Sequence, residues 1–295
     1  MIDGTTKLLG VLGSPVTHSM SPVMQNAALR AMAARACYIP LPCSAEDLGQ
    51  VIAGLRGLGF VGANVTIPHK EAVIQYLDNL SSESRLTGSV NTLYWEGDQL
   101  TGTTTDATGA VLNLEAAGIS LDAKRVALLG TGGAARALGF ILARGHCMGA
   151  RGQPLPFAPA KLTILGRNGA KAAQLVAEIT AKTPSAIRIE SARLDEFAAL
   201  SGDVDLVINC TSVGMEPDAD RCPVDPDHLG AKQVVYDIVY KPRETVLLRE
   251  ARRRGCVTVE GIGMLVHQGA ASFRHWFAKA PDVAAMFEAL KSYGY

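Results

Sequence analysis

A chain of 295 residues with 28 Lys+Arg against 28 Asp+Glu carries no net charge at pH 7, which excludes the basic surface excess that nucleic-acid or acidic-membrane binding needs. With 48% hydrophobic and 19% charged residues it can bury an ample core, so disorder is excluded as well, and the length suits two domains. The 30 glycines against 5% aromatic residues point to tight turns and close backbone approaches, the habit of nucleotide-binding α/β folds. Cys37, Cys43, Cys147, Cys210, Cys222 and Cys256 form no CxxC pair and read as reduced cytosolic thiols. The first residues lack the pattern of a signal peptide, and the longest apolar window, 126–143, holds Arg136 and four glycines. A cytoplasmic protein with no membrane span is expected.

In chain order, KLLGVLG (7–13) reads as a strand, and Ser21-Pro22 opens a helix with a preferred cap residue and a proline in its first turn. CYIPLPC (37–43), the helix AEDLGQVIAGLRGLG and VGANVTI (61–67) follow, and Pro68 starts a third helix, HKEAVIQYL. Strands separated by helices in this rhythm argue for a parallel sheet with crossovers. VNTLYW and QLTGTTT form a hairpin across Glu96-Gly97-Asp98, a turn that is not an ideal two-residue type. After Asp106 a linking helix leads to a second alternating block. Its strands are RVALLG (125–130), KLTILG (161–166), VDLVINC (204–210), QVVYDIV (233–239) and CVTVEG (256–261), a doubly wound pattern. Two helices close the chain. Residues 144–160, rich in Gly, Pro and Arg, are an insertion, either a mobile surface loop or a lid over bound cofactor.

The turn Gly130-Thr131-Gly132-Gly133-Ala134-Ala135-Arg136 follows a strand and opens a helix. In that context glycines let the backbone approach a pyrophosphate, and the helix N-terminus offers unpaired N–H groups. Ala135 stands where a third glycine would pack the helix on the strand, and a glycine turn before a helix can also be purely structural. At the end of KLTILG, where NAD-specific sheets place Asp or Glu, stand Gly166-Arg167-Asn168, with Lys171 in the following turn. A guanidinium there suits a 2′-phosphate, so NADP is expected over NAD; the alternative is a solvated basic helix start. Thr211 and Gly261 fall at carboxyl ends of strands, the ends that face the ligand crevice.

In the first block, Ser21 has a sufficient role as a helix cap, whereas Ser19 has none. Lys70, third in the helix that Pro68 opens, sits at the positive end of a helix dipole, where a cation is disfavoured. Such a lysine suits proton transfer, although it could simply point to water. Asp106 begins the linking helix and could pair with Lys70 or merely cap that helix. His146, His228 and His275 lack metal-ligand spacing, and no metal site is suggested.

The strings GSPVTHSMSP, NVTIPHK, GSVNT, GTTTDATG, GTGGAAR, NCTSVGM and GMLVHQGAASFRHW, in this order, resemble the shikimate dehydrogenase family from about Leu8 to Phe277. The resemblance implies two α/β domains with a cleft between them. Residues 1–105, completed by 263–295, would form a substrate domain with a mainly parallel sheet, and 106–262 a Rossmann-type NADP domain. It also implies reversible reduction of 3-dehydroshikimate to shikimate by NADPH. Lys70 and Asp106 would be the catalytic pair, Ser19 and Ser21 would bind the substrate carboxylate, Thr66 and Asn91 would hold ring substituents, and Tyr240 and Gln268 would complete the site. Gly130, Thr131, Gly132, Gly133 and Ala134 would form the phosphate turn. Arg167, Asn168 and Lys171 would form the adenosine-phosphate site, and Thr211, Ile238 and Gly261 would lie along the cofactor. Family members are commonly dimeric, though no self-complementary surface is visible in the sequence. Departures from the family pattern are Gly166 and Asn168 around Arg167, and Thr104 and Ala107 around Asp106. The rivals are a quinate/shikimate dehydrogenase using NAD, disfavoured by Arg167, and a non-catalytic sensor, disfavoured by the Lys70 and Asp106 pair.

Overall fold

The structure is a computed structural model describing residues 2–183 and 186–294. The chain divides into two compact units: residues through Gly109 together with those from Leu265 on, and Ala110 to Met264.

The first unit contains β1 (Lys7–Gly13), α1 (Ser21–Ala31), β2 (Ala36–Pro42), α2 (Leu48–Gly57), β3 (Gly62–Val65), β4 (Asn79–Leu80), α3 (Ser82–Thr87), β5 (Thr92–Glu96) and β6 (Gln99–Thr103). They form one sheet in the order β2-β1-β3-β5-β6-β4, parallel at β2-β1, β1-β3 and β6-β4, with β5 antiparallel to both neighbours. Leu12, Leu48, Ile52, Leu55, Phe60, Val65, Val73 and Leu93 pack into a buried core under this sheet. Each such side chain contributes about 1.5–3 kcal/mol of transfer free energy.

Two local expectations are corrected here. No α-helix starts at Pro68; a 3-10 turn covers Ala72–Tyr76 instead. The Lys70 carbonyl, which a helix would need, accepts from Val90 N at 2.8 Å. The β5-β6 turn is a true two-residue turn, because Glu96 pairs with Gln99 and Gly97 takes φ +60°, as a type II′ turn requires.

In α4 (Asp106–Ala116) the chain enters the second unit. There follow β7 (Arg125–Leu129), α5 (Gly133–Arg144), β8 (His146–Met148), β9 (Pro154–Pro156), β10 (Lys161–Gly166), α6 (Gly169–Lys182), β11 (Arg188–Arg193), α7 (Phe197–Leu200), β12 (Leu206–Asn209), β13 (Val234–Asp237), α8 (Val246–Arg253) and β14 (Val257–Val259). Six strands form an all-parallel sheet, β11-β10-β7-β12-β13-β14. This is the doubly wound dinucleotide-binding order, with its switch point at the carboxyl ends of β7 and β12. Leu129, Leu165, Val207, Val235, Leu247 and Leu248 form its core on one face. The chain then passes through α9 (Ile262–Phe277) back into the first unit, which α10 (Val283–Lys291) completes against α1. No helix among the described residues is long and apolar enough to cross a membrane.

The insertion is an ordered hairpin of β8 and β9, anchored by buried Cys147 and Phe157. It is not placed as a lid over the glycine turn. The 12 residues of α5 carry the chain away from that turn by about 18 Å. The base of the hairpin joins the amino end of the parallel strands, where Ala160 N bonds Lys124 O and Ala123 N bonds Ala158 O just before β7.

Candidate active site

Sheet topology gathers the candidate residues of the first unit. β1, β3 and β6 end, and the antiparallel β5 begins, at the same edge, as the pairings Val11 to Asn64, Asn64 to Thr92 and Thr92 to Thr103 require. Ser19 and Ser21 follow β1, Thr66 and Lys70 follow β3, Asn91 precedes β5 and Asp106 follows β6. The Lys70 ammonium therefore reaches Asp106 Oδ2 at 2.6 Å, with the two side chains 30% and 16% exposed. Lys70 is held by this carboxylate and by no helix dipole, since the element after it is a five-residue 3-10 turn.

Asp106 is fixed from its other oxygen, because Asn91 Nδ2 donates to Oδ1 at 2.7 Å. Asn91 Nδ2 also lies within reach of Thr105 Oγ1 (3.0 Å) and Gln268 Oε1 (3.2 Å), and Asn91 Oδ1 accepts from Thr105 N at 2.9 Å. Lys70, Asn91, Asp106 and Gln268 are thus brought together as expected positions. Asp106 is the first residue of α4, and its carboxylate serves this cluster.

Ser21 is not the N-cap of α1. Met20 takes that place without a side-chain cap, and Ser19 Oγ accepts from Ser21 N at 3.3 Å, so Ser19 does have a structural contact. The buried Ser21 hydroxyl meets Tyr38. Tyr38 OH donates to Asn64 Oδ1 at 2.7 Å, and Asn64 Nδ2 donates to Asn91 O and Ser272 Oγ, both at 2.9 Å. Asn64, a buried amide that links Ser21 to Asn91, was not singled out in the sequence. The signal was there, a polar residue inside the fully buried strand GANV. Thr66 packs its methyl where a Cβ on Gly13 would fall, 2.4 Å away, so Gly13 has to be glycine. Tyr240 belongs to the second unit, half-buried in the segment after β13.

In the second unit, Gly130 takes φ +115°, and a Cβ there would lie 2.9 Å from Thr211 Cγ2. A Cβ on Gly132 or Gly133 would meet no protein atom within 4 Å, so the protein's own packing does not demand these glycines. Glycine here leaves the backbone open to close approach by a ligand. Gly132 occupies the N-cap of α5 without a side-chain hydrogen bond, which leaves the N–H groups of Gly133, Ala134 and their neighbours to serve an anion. Ala135 is fully buried against the sheet in the place of a third glycine.

Arg167 and Lys171 are exposed beside the start of α6, while Asn168 caps that helix, its Oδ1 accepting from Lys171 N at 3.2 Å. The Asn168 oxygen is therefore engaged structurally. Gly166 is explained by its neighbour, because a Cβ would lie 2.7 Å from Thr131 Cγ2. Arg167 lines a cavity of about 610 Å³ with Arg193, Leu194, Asp195 and the segment Cys222–Pro226. Arg193 ends β11, a strand the sequence did not reveal. Gly261 is demanded by the backbone of Ile238 and Val239, which approaches its missing Cβ to 2.5 Å. The turn, the uncapped helix and an arginine with no carboxylate beside it in the Gly166–Asn168 segment fit NADP.

Comparison with known proteins identifies the family to which the chain is similar. The family described as "Shikimate dehydrogenase substrate binding domain" matches residues 11–93, and "Shikimate 5'-dehydrogenase C-terminal domain" matches 261–291. The shikimate dehydrogenase (NADP(+)) of Symbiobacterium thermophilum is 43% identical over 285 residues, 96% of this chain and 93% of that protein. The crystal structure of a shikimate dehydrogenase in complex with NADP+ superposes with a TM-score of 0.87 at 36% identity, covering 99% of this chain and 97% of the other. Shikimate 5-dehydrogenase from Listeria monocytogenes, in complex with shikimate and NAD, gives 0.88 at 31% identity, with 98% of each chain covered. The likeness in sequence and in fold thus runs along almost the whole chain, and the chain belongs to the shikimate dehydrogenase family.

Proposed function

We propose that this chain reduces 3-dehydroshikimate to shikimate with NADPH, reversibly. The observation that carries the proposal is the Lys70 to Asp106 contact of 2.6 Å at the sheet edge. NADPH, when bound, would supply a hydride to the ring carbonyl carbon, so the carbonyl oxygen is where negative charge would develop. Lys70 Nζ donates a hydrogen bond to that oxygen and passes it a proton, completing the hydroxyl. Asp106 takes one of the three ammonium N–H groups and so aims the others, while Asn91 keeps the carboxylate from rotating away. In the oxidative direction the same pair receives the hydroxyl proton.

Ser19 and Ser21 would hold the substrate carboxylate, and Thr66, Asn91, Gln268 and Tyr240 its remaining polar groups. Gly130 to Ala134 would carry the pyrophosphate, Arg167 and Lys171 the 2′-phosphate, with Asn168 shaping that helix start. Thr211, Ile238 and Gly261 would line the rest of the cofactor. Small molecules are its proposed partners, with neither nucleic acid nor membrane, and assembly as a dimer is tested by light scattering. With all six cysteines free, the cytoplasm is the proposed compartment. The deciding experiment is a steady-state assay of shikimate and quinate with NADP and with NAD. Shikimate with NADP is expected to give the highest kcat/KM. No oxidation of shikimate with either cofactor overturns the proposal, and equal kcat/KM with NADP and NAD removes the role of Arg167.

A further inference from the structure

The second unit holds a buried carboxylate that the reaction does not use. Asp237, the last residue of β13, is fully buried, and each of its oxygens is bonded. Oδ1 accepts from Asn209 Nδ2 at 2.9 Å and from Val239 N at 3.0 Å, and Oδ2 accepts from Thr245 Oγ1 at 2.7 Å. Each partner belongs to a different segment. Asn209 ends β12, Val239 lies in the loop after β13, and Thr245 caps α8 by accepting from Leu248 N.

Asn209 passes the constraint on. Its Oδ1 accepts from Thr211 N (3.0 Å) and Thr211 Oγ1 (2.7 Å), and its Nδ2 also donates to Val213 O at 3.2 Å. Thr211 Oγ1 in turn accepts from Val213 N at 3.1 Å. The loop 210–213 is therefore wrapped around one amide whose orientation Asp237 sets. Thr211 Cγ2 packs against Gly130, and the Ile238–Val239 backbone packs against Gly261.

We infer that Asp237 is a positioning residue for the cofactor: it ties the loops after β12 and β13 into a single arrangement, so that Thr211 and Ile238 are placed together relative to the glycine turn. The inference rests on the proposed NADP site. Burial pushes the Asp237 carboxyl up to about 6, so the anion is held here against its solvation preference, as happens where a carboxylate orients other groups. A buried acceptor with several donors rigidifies its surroundings only while every bond is made.

The test uses the full chain and reads NADP+ binding by titration calorimetry, with kinetics and urea unfolding alongside. Asp237→Ala is expected to raise the Kd and KM for NADP+ about tenfold or more while the KM for shikimate changes less than twofold. Asp237→Asn, which can still accept from Asn209 and Val239, is expected to stay within about threefold of wild type. If Asp237→Ala does not fold, Asn209→Ser removes the same bridge from the other side and carries the same expectation. A folded Asp237→Ala or Asn209→Ser variant with wild-type NADP+ affinity overturns the inference, whatever its urea midpoint, as does a parallel loss of shikimate affinity. Wild-type protein that binds no NADP+ overturns the cofactor site itself.

Discussion

Replacing Lys70 by methionine keeps most of the side chain's length and its apolar stem but removes the ammonium 2.6 Å from Asp106. Two functions leave together, the donor that stabilises the developing oxyanion and the acid that protonates it. Losing one such donor costs about 10²–10³ in kcat, and losing a positioned acid about 10²–10⁴. Both reside in one group and do not multiply, so a fall of about 10³, or ~4 kcal/mol of barrier, is expected. The KM for shikimate should move by less than about threefold, because the serines after β1 are proposed to anchor its carboxylate, and lost transition-state contacts appear in kcat. Stability should change by no more than about 1 kcal/mol, since the pair is partly exposed and Asp106 keeps its bond from Asn91. The assay is NADP reduction followed by absorbance, with urea unfolding on the same preparation. Combining Lys70→Met with Asp106→Asn should lose little more than the worse single change, as for residues acting as one unit. Turnover within tenfold of wild type, or a KM increase accounting for the whole loss, refutes the assignment.

Three further outcomes are expected. Arg167→Ala should raise the Kd for NADP+ about 10–100-fold and leave NAD+ nearly unchanged, the effect of removing a charge-assisted phosphate contact; calorimetry with both dinucleotides decides. Shortening the hairpin tip, residues 149–153, to a two-residue turn should leave the KM for NADP unaltered, because the hairpin is based at the amino end of the strands and the glycine turn follows the carboxyl end of β7; a several-fold increase contradicts that placement. His267 is buried, and burial holds its imidazole down to about 4 from 6.5. The folded chain therefore takes up this proton less readily than the unfolded chain, so stability is full above about pH 6.5 and falls toward pH 4, by about 2 kcal/mol at pH 5. Urea unfolding from pH 7 to 5 should show a shallower decline for His267→Phe, and parallel profiles refute the assignment.

Patterns with local causes were legible in the sequence. The first strand was bounded at Lys7 and Gly13 because its run is apolar and ends in a turn. The glycine turn was found because its context, strand before and helix after, is contiguous. What stayed hidden depends on distant partners. The helix expected from Pro68 fails because the Lys70 carbonyl is taken by Val90, which no local pattern around Lys70 encodes. β11 was missed because RIESAR is an edge strand stabilised in part by the Lys161 to Glu190 ion pair, with little apolar alternation to betray it. The pairing of Lys70 with Asp106 could be suspected from chemistry alone, whereas the support from Asn91 and Asn64 required the antiparallel β5 to be seated between β3 and β6.

Thr131 and Gly166 occupy one shared volume, the threonine methyl filling the place that a side chain at 166 would take. Changing either alone creates a clash or a void, since a larger residue at 166 collides with Thr131 and a smaller one at 131 leaves an apolar gap. Substitutions at these two positions are therefore sterically coupled. A designer introducing a larger side chain at 166 has to move or shrink residue 131 in the same step, which ties the glycine turn to the residue beside Arg167.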